Sequence, residues 1–344
     1  EATMRYSRHL RTMTLCAVAL LLLGGLSRAQ APGLAGAEWE LRALGVTTPE
    51  RLEALRADAN KRPVTLAIVG QGGVSKSLLE AKLIEGNTLE YRQWPEGQDP
   101  DPRASTHDTQ AAHVILDLTL KLGLKVRVLV YQPGESTQSV AQAFAAAGAE
   151  ADIVALYQSF WGDVLPMAEA IGQAERALFI SPYVEVGEPA TNTCLQSYAA
   201  KPWADGYDHF VTVIPLARSQ PDALISPLNR PELDTEVVNF IAPSFYASSA
   251  GGTCPSAEVA AAVAAWVVAA SPEKPSPEAI VELMRQGSVV DRESLTSLPE
   301  FTEEAVTAVE RHISALSNPP AGERRRLDAA GVLNLWAVRE ALGR

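Results

Sequence analysis

The sequence predicts an α/β fold in which a mostly parallel sheet is covered by helices on both faces. From residue 64 to about residue 180, apolar segments of strand length alternate with amphipathic segments of helical length. The segment 64–69, VTLAIV, is almost wholly apolar, which is typical of strands in parallel sheets buried on both faces. The chain has 344 residues, of which 47% are hydrophobic and 20% charged, so it can form a substantial core.

The predicted elements follow one another between turn and cap residues. We expect strands at 64–69, 89–94, 125–131, 152–157, 177–180, 210–216 and 236–241. We expect helices at 75–84, 109–123, 137–147, 163–174, 254–270, 277–287, around 302–314 and from 332 onward. Gly123 and Gly148 are predicted to end their helices, because glycine readily adopts the left-handed conformation found there. Residues 32–63 carry apolar side chains at helical spacing and are interpreted as a short lead-in helix.

The first 31 residues have the order of a secretory signal peptide. Arginines precede an apolar run at 15–23, and Ala29-Gln30-Ala31 follows as a cleavage site. The run is too short to span a membrane, so we expect export through a Sec-type pathway to the periplasm or the exterior. The net charge of −12 disfavours nucleic acid and anionic membranes as partners. Cleavage would leave Cys194 and Cys254, which could form one disulfide.

A glycine-rich segment at 70–77, GQGGVSKS, follows the first strand and precedes a predicted helix. A phosphate-binding loop uses glycines, a lysine and a hydroxyl in this setting. Ser75 stands where the glycine before Lys76 is expected, so nucleotide binding is a minor alternative to a plain strand–turn–helix connection. We expect no cofactor and no metal site.

Two further segments contain candidate nucleophile and base residues. Cys254 opens an almost uncharged helix, whose dipole would stabilise a thiolate there, and Ser256 is an alternative nucleophile. Cys254 can equally be a small buried residue or half of a disulfide with Cys194. His107 lies at a loop-to-helix boundary, where it can be a general base or simply a surface or capping residue.

Taken in order, several segments resemble the motifs of the subtilisin-like serine peptidases (subtilase, peptidase S8/S53). They are Leu66-Ala67-Ile68-Val69-Gly70, His107-Asp108-Thr109-Gln110-Ala111-Ala112, and Gly252-Thr253-Cys254 followed by Val259-Ala260-Ala261. The resemblance implies a three-layer subtilisin-like domain over residues 64–344. It also implies triad positions at Gly70, His107 and Cys254, and a polypeptide as substrate or ligand.

The chain departs from the family pattern at the positions that carry chemistry. Gly70 replaces the triad aspartate, Cys254 replaces the serine, and Glu185 stands where the family has an oxyanion-hole asparagine. In the predicted substrate cleft, only Ser159 and Gly162 match the family's usual glycine-rich pattern. We therefore expect a degenerate, inactive family member that acts in binding or as a structural module. The alternative is an active hydrolase that uses a Cys254–His107 pair without the aspartate.

Overall fold

The fold is described from a computed structural model. The described residues are 40–59, 61–71, 73–75, 80, 87–94, 106–157, 160, 163–182, 195, 208–219, 223–225, 240–244, 254–289, 291–297, 303, 306, 307, 309, 310 and 331–344. All of them belong to one compact unit, Ala37–Arg344. The predicted signal peptide lies outside the described residues.

A ten-stranded, mostly parallel sheet forms the centre of this unit. Its strands are β1 (Val64–Val69), β2 (Thr88–Trp94), β3 (Val126–Pro133), β4 (Ile153–Leu156), β5 (Leu178–Pro182), β6 (Phe210–Ser219), β7 (Ala223–Ile225), β8 (Phe240–Ser244), β9 (Ser288–Val289) and β10 (Val332–Leu333). They run in the order β2-β3-β1-β4-β5-β6-β8-β10-β9, with β7 beside β6. Among the described residues, only the β6–β7 and β9–β10 pairs are antiparallel, so the predicted mostly parallel sheet is confirmed.

Helices cover both faces of the sheet and make three layers. They are α1 (Pro49–Asp58), α2 (Thr106–Lys121), α3 (Thr137–Glu150), α4 (Leu165–Gly172), α5 (Cys254–Ala270), α6 (Pro277–Gln286), α7 (Arg292–Thr296) and α8 (Leu335–Ala341). Side chains of α1, α2, α5, α6 and α8 form a first core with one face of the sheet. Those of α3, α4 and α7 form a second core with the other face. Leu66 and Ile68 of β1 point into the first core, whereas Ala67 and Val69 point into the second.

The helix α5 is buried along almost its whole length, as its nearly uncharged sequence predicts. Every residue from Ala257 to Ala270 is buried, and the helix packs against α2, α6 and five strands. Near its C-terminal end, Trp266 Nε1 donates a 3.0 Å hydrogen bond to the carbonyl oxygen of Leu55 in α1. The lead-in helix α1 is thereby attached to the central helix. No helix in the described part of the chain is long and apolar enough to cross a membrane.

Some element boundaries differ from the prediction for physical reasons. Helix α2 ends before Gly123, which has φ +70° as expected. Helix α3 instead continues past Gly148 to Glu150. Gly148 lies at a close packing contact rather than at the helix end, since a Cβ there would lie 2.3 Å from Cβ of Ala174. The last helix begins at Leu335 rather than 332, since Val332 pairs with both β8 and β9. Most of the predicted helix at 75–84 lies outside the described residues.

Candidate functional site

The register of two neighbouring strands places Gly70 beside Tyr157. Strands β1 and β4 pair in parallel, with Val69 opposite Leu156, so Gly70 and Tyr157 follow at the same level. Val69 and Leu156 point into the second core. Because side chains alternate between faces, the next residue of each strand faces the first core, where α2 and α5 pack. Tyr157 belongs to that core.

The ring of Tyr157 fills the space beside Gly70. A Cβ atom at Gly70 would lie 1.8 Å from Cε2 and 2.5 Å from Cδ2 of Tyr157. Real Cβ atoms essentially never approach another heavy atom within 3.0 Å, and Tyr157 is fully buried. A carboxylate side chain at position 70 is therefore incompatible with the ring in this position. The sequence has a glycine directly after strand β1 and a large aromatic residue directly after strand β4. That these two residues meet could be recognised only once the strand register was known.

The first turns of α2 and α5 carry the other two predicted triad positions. Helix α5 begins at Cys254, and Pro255 suits the first turn because the amide that proline lacks would have no helical partner there. The thiol of Cys254 is free, and the residue is 6% exposed. Ser256 is fully buried. His107 is the second residue of α2, and its side chain lies outside the described part of the structure.

One acidic residue of α2 and one of α5 influence the pKa of Tyr157. Desolvation raises the pKa of Tyr157 well above its usual value, and Coulombic interactions with the carboxyl groups of Asp108 and Glu258 raise it further. The phenol is therefore neutral, with Asp108 of α2 and Glu258 of α5 near enough to act on it. Asp108 lies in the first turn of α2, where the helix dipole favours a negative charge. Neither Tyr157 nor Glu258 was predicted from the sequence to belong to this site.

The described part of the glycine-rich loop contacts protein groups. Ser75 N–H donates to Oγ1 of Thr109 at 3.0 Å, which ties the loop to α2. Gln71 Nε2 donates to the carbonyl oxygen of Gly134 at 3.2 Å. Gly73 has φ +74°, and a Cβ there would lie 2.7 Å from Nε2 of Gln132. Residues 72 and 76–79 lie outside the described residues, so nucleotide binding stays a prediction.

The remaining predicted site residues are only partly covered by the structure. The connection between β3 and α3 ends in a helix cap, in which Ser139 N–H donates to Oγ of Ser136 at 3.1 Å. The candidates Ser159, Gly162 and Glu185 lie outside the described residues, and so does Cys194. Within the described ranges, no three His, Cys, Asp or Glu side chains are grouped so that they could hold a metal ion.

Comparison with known proteins identifies the fold through solved structures. No protein-family model matches the chain, and no curated protein matches it. A lanthipeptide protease superposes with a TM-score of 0.55 at 13% identity, over 90% of this chain and 98% of that one. Fervidolysin from Fervidobacterium pennivorans, a keratinolytic enzyme related to subtilisin, gives 0.54 at 15% identity, over 88% of this chain and 45% of that one. The fold of this chain is subtilisin-like.

A third structure agrees with this subtilisin-like fold. A mutant of the protease domain of PatA has a TM-score of 0.50 at 17% identity, over 81% of this chain and 95% of that one. At these identities the similarity shows the fold alone. The subtilisin-like α/β fold predicted from the motif order is thus confirmed. Peptidase activity depends on the residues of the site and not on the fold.

Proposed function

We propose that this chain is an exported protein of subtilisin-like fold that no longer cleaves peptide bonds and acts in binding or as a structural module. The observation that carries the proposal is the contact between Tyr157 and Gly70. In a Ser-His-Asp triad the aspartate orients the histidine and stabilises the imidazolium ion that forms during the reaction. Here the aligned position has no side chain, and a buried ring occupies the adjacent space.

The phenol of Tyr157 does not replace the missing carboxylate electrostatically. Its pKa is raised well above the usual value by desolvation and by the nearby carboxylates, so it carries no charge that could stabilise an imidazolium ion. Enzymes with a disabled triad retain only residual activity. The cysteine at the predicted nucleophile position, Cys254, and the absence of a carboxylate at position 70 together support the proposal that the protein lacks useful peptidase activity.

We propose a polypeptide or peptide as the ligand. The solved structures that share this fold are a lanthipeptide protease, the protease domain of PatA and the keratinolytic enzyme fervidolysin. A cleft that no longer catalyses a reaction can still bind the same class of molecule. The net charge of −12 makes a peptide of neutral or basic character a better ligand than nucleic acid.

A cleavage assay tests the proposal. Fluorescently labelled casein is incubated with wild-type protein and with the His107→Ala and Cys254→Ala variants. We expect the same background signal from all three proteins. Cleavage by the wild type that either substitution abolishes would overturn the proposal.

A second candidate function is a hydrolase that uses Cys254 and His107. It is favoured by the free thiol of Cys254 at the first position of α5, because a thiol ionises more readily than a hydroxyl and can work with histidine alone. This alternative predicts that iodoacetamide labels Cys254 faster than it labels an ordinary free cysteine. Slow labelling, with no casein cleavage, would exclude it.

Export is the part of the proposal that rests on residues 1–31. Their arginines, apolar run and Ala29-Gln30-Ala31 site favour signal-peptide cleavage. N-terminal sequencing of protein recovered from the periplasm or the medium of a Sec-competent bacterial host should begin at residue 32. Recovery of uncleaved protein from the cytoplasm alone would contradict export.

A further inference from the structure

We propose that strand β2 is a docking surface for the β2 strand of a second copy of this chain. The strand stands at one end of the sheet order, and among the described residues it pairs with β3 alone. A strand at the edge of a sheet presents backbone N–H and C=O groups that can pair with a strand of another chain. The inference goes beyond the proposed function, because pairing of two copies requires neither peptide binding nor cleavage.

Side chains of opposite charge lie along this edge strand. Glu90 and Arg92 are two residues apart on β2, so they lie on the same face of the sheet. Their side chains are 34% and 37% exposed, and Arg92 Nη2 donates to Oε2 of Glu90 at 2.7 Å. Arg127 of β3 and Glu150 of α3 complete a group of two positive and two negative charges. Because the group is neutral overall, it does not repel a second copy of itself.

Only one register of two β2 strands joins both pairs of unlike charges. In an antiparallel pair centred on Tyr91, Glu90 of each copy lies opposite Arg92 of the other. A parallel pair in register would instead place like charges opposite each other, and so would an antiparallel pair centred on either charged residue. Opposite charges directly across two strands are stabilising, whereas like charges are destabilising. The favoured register has two-fold symmetry, as the interface of a symmetric dimer requires.

Sedimentation equilibrium of the purified protein tests whether this dimer forms. The seven residues of β2 span about 23 Å, which is a short contact. We therefore expect a reversible dimer with a dissociation constant of about 10–100 µM. A monomer at every concentration up to about 500 µM would overturn the proposal.

Two charge-reversal variants test the register. Glu90→Arg leaves only positive charges at these two positions of β2, and Arg92→Glu leaves only negative ones. Each variant alone should dimerise about ten-fold more weakly than wild type or worse. An equimolar mixture should dimerise again, because every facing pair in the mixed dimer joins unlike charges. Undiminished dimerisation of either variant alone, or a mixture that stays monomeric, would refute the proposal.

The matched control is Glu53→Arg, which makes the same change in net charge on helix α1. Glu53 is 68% exposed and pairs with Arg56 of the same helix, so the dissociation constant should stay within about two-fold of wild type. Equal weakening by this control would show a general effect of net charge and overturn the proposal.

Circular dichroism and thermal unfolding establish which variants are folded. If a charge-reversal variant does not fold, Glu90→Gln and Arg92→Gln replace the pair. Each should weaken the dimer by about three-fold, since each removes one partner from both facing pairs. A folded glutamine variant that dimerises as strongly as wild type would refute the proposal.

Discussion

Tyr157 occupies the space that any side chain at Gly70 would need, with its Cε2 atom 1.8 Å from the position of a Cβ on that glycine. The parallel register of β1 and β4 brings the two residues together. The glycine at position 70 and the buried ring beside it are therefore one structural feature.

Restoring the aspartate alone should not restore activity. In Gly70→Asp the new side chain must displace the Tyr157 ring and bury a carboxylate near Asp108 and Glu258, which should lower the free energy of unfolding by roughly 3 kcal/mol or more. Urea denaturation measures the loss, and the casein assay should remain at background. A variant with wild-type stability would show that the ring moves aside at little cost.

Gly148→Ala should destabilise the protein, although glycine to alanine inside a helix is normally stabilising by about 1 kcal/mol. The new Cβ would lie 2.3 Å from Cβ of Ala174 and force α3 away from α4, for a net loss of about 1–3 kcal/mol in the free energy of unfolding.

The control for this substitution is Ala149→Gly on the exposed side of the same helix. It should cost only the propensity difference of about 0.5–1 kcal/mol. Stabilisation by Gly148→Ala in urea denaturation would mean that the helices separate freely, which contradicts the packing described for Gly148.

Acid should weaken a network of charges at the edge of the sheet. Hydrogen bonds from Arg127, at 2.7 and 3.0 Å, lower the pKa of Glu90 to about 2, and Arg92 contributes less. Because the pKa of Glu90 is lowered in the folded state, its stabilising effect is present above pH 4.5, the unperturbed value, and is lost as the pH falls toward about 2.

Thermal unfolding of wild type and Glu90→Gln at pH 7 and pH 3 measures this effect. The melting temperature should fall more between pH 7 and pH 3 for the wild type than for Glu90→Gln. The difference should be small, because the side chain of Glu90 is about a third exposed. Glu53→Gln, which removes an exposed pair with Arg56, should follow the wild-type behaviour. Equal losses in wild type and Glu90→Gln would refute the assignment.

Local patterns predicted the architecture well. The apolar segment Val64–Val69 and the almost uncharged helix Cys254–Ala270 have the predicted bounds, because their apolar composition is visible in their own residues. The role of Gly148 was mispredicted, since glycine at a close helix contact and glycine at a helix end look alike in sequence. Strand β10, at Val332–Leu333, has only two residues. It forms by pairing with neighbouring strands, so its own sequence does not predict it.

The site was less predictable than the fold. Motif order predicts that Gly70, His107 and Cys254 stand at the triad positions, but the structural consequence of Gly70 depends on Tyr157, which lies 87 residues away in the chain. Nothing in the sequence links Asp108 with Glu258, and their shared influence on the pKa of Tyr157 arises only when α2 and α5 pack together.

A double-mutant cycle between positions 70 and 157 tests the central claim most directly. Urea denaturation gives the free energy of unfolding of wild type, Gly70→Ala, Tyr157→Ala and the double variant. We expect Gly70→Ala to cost about 1–3 kcal/mol when Tyr157 is present and less than about 0.5 kcal/mol when it is absent. An equal cost in both backgrounds would contradict the claim that the Tyr157 ring fills the place of the missing carboxylate.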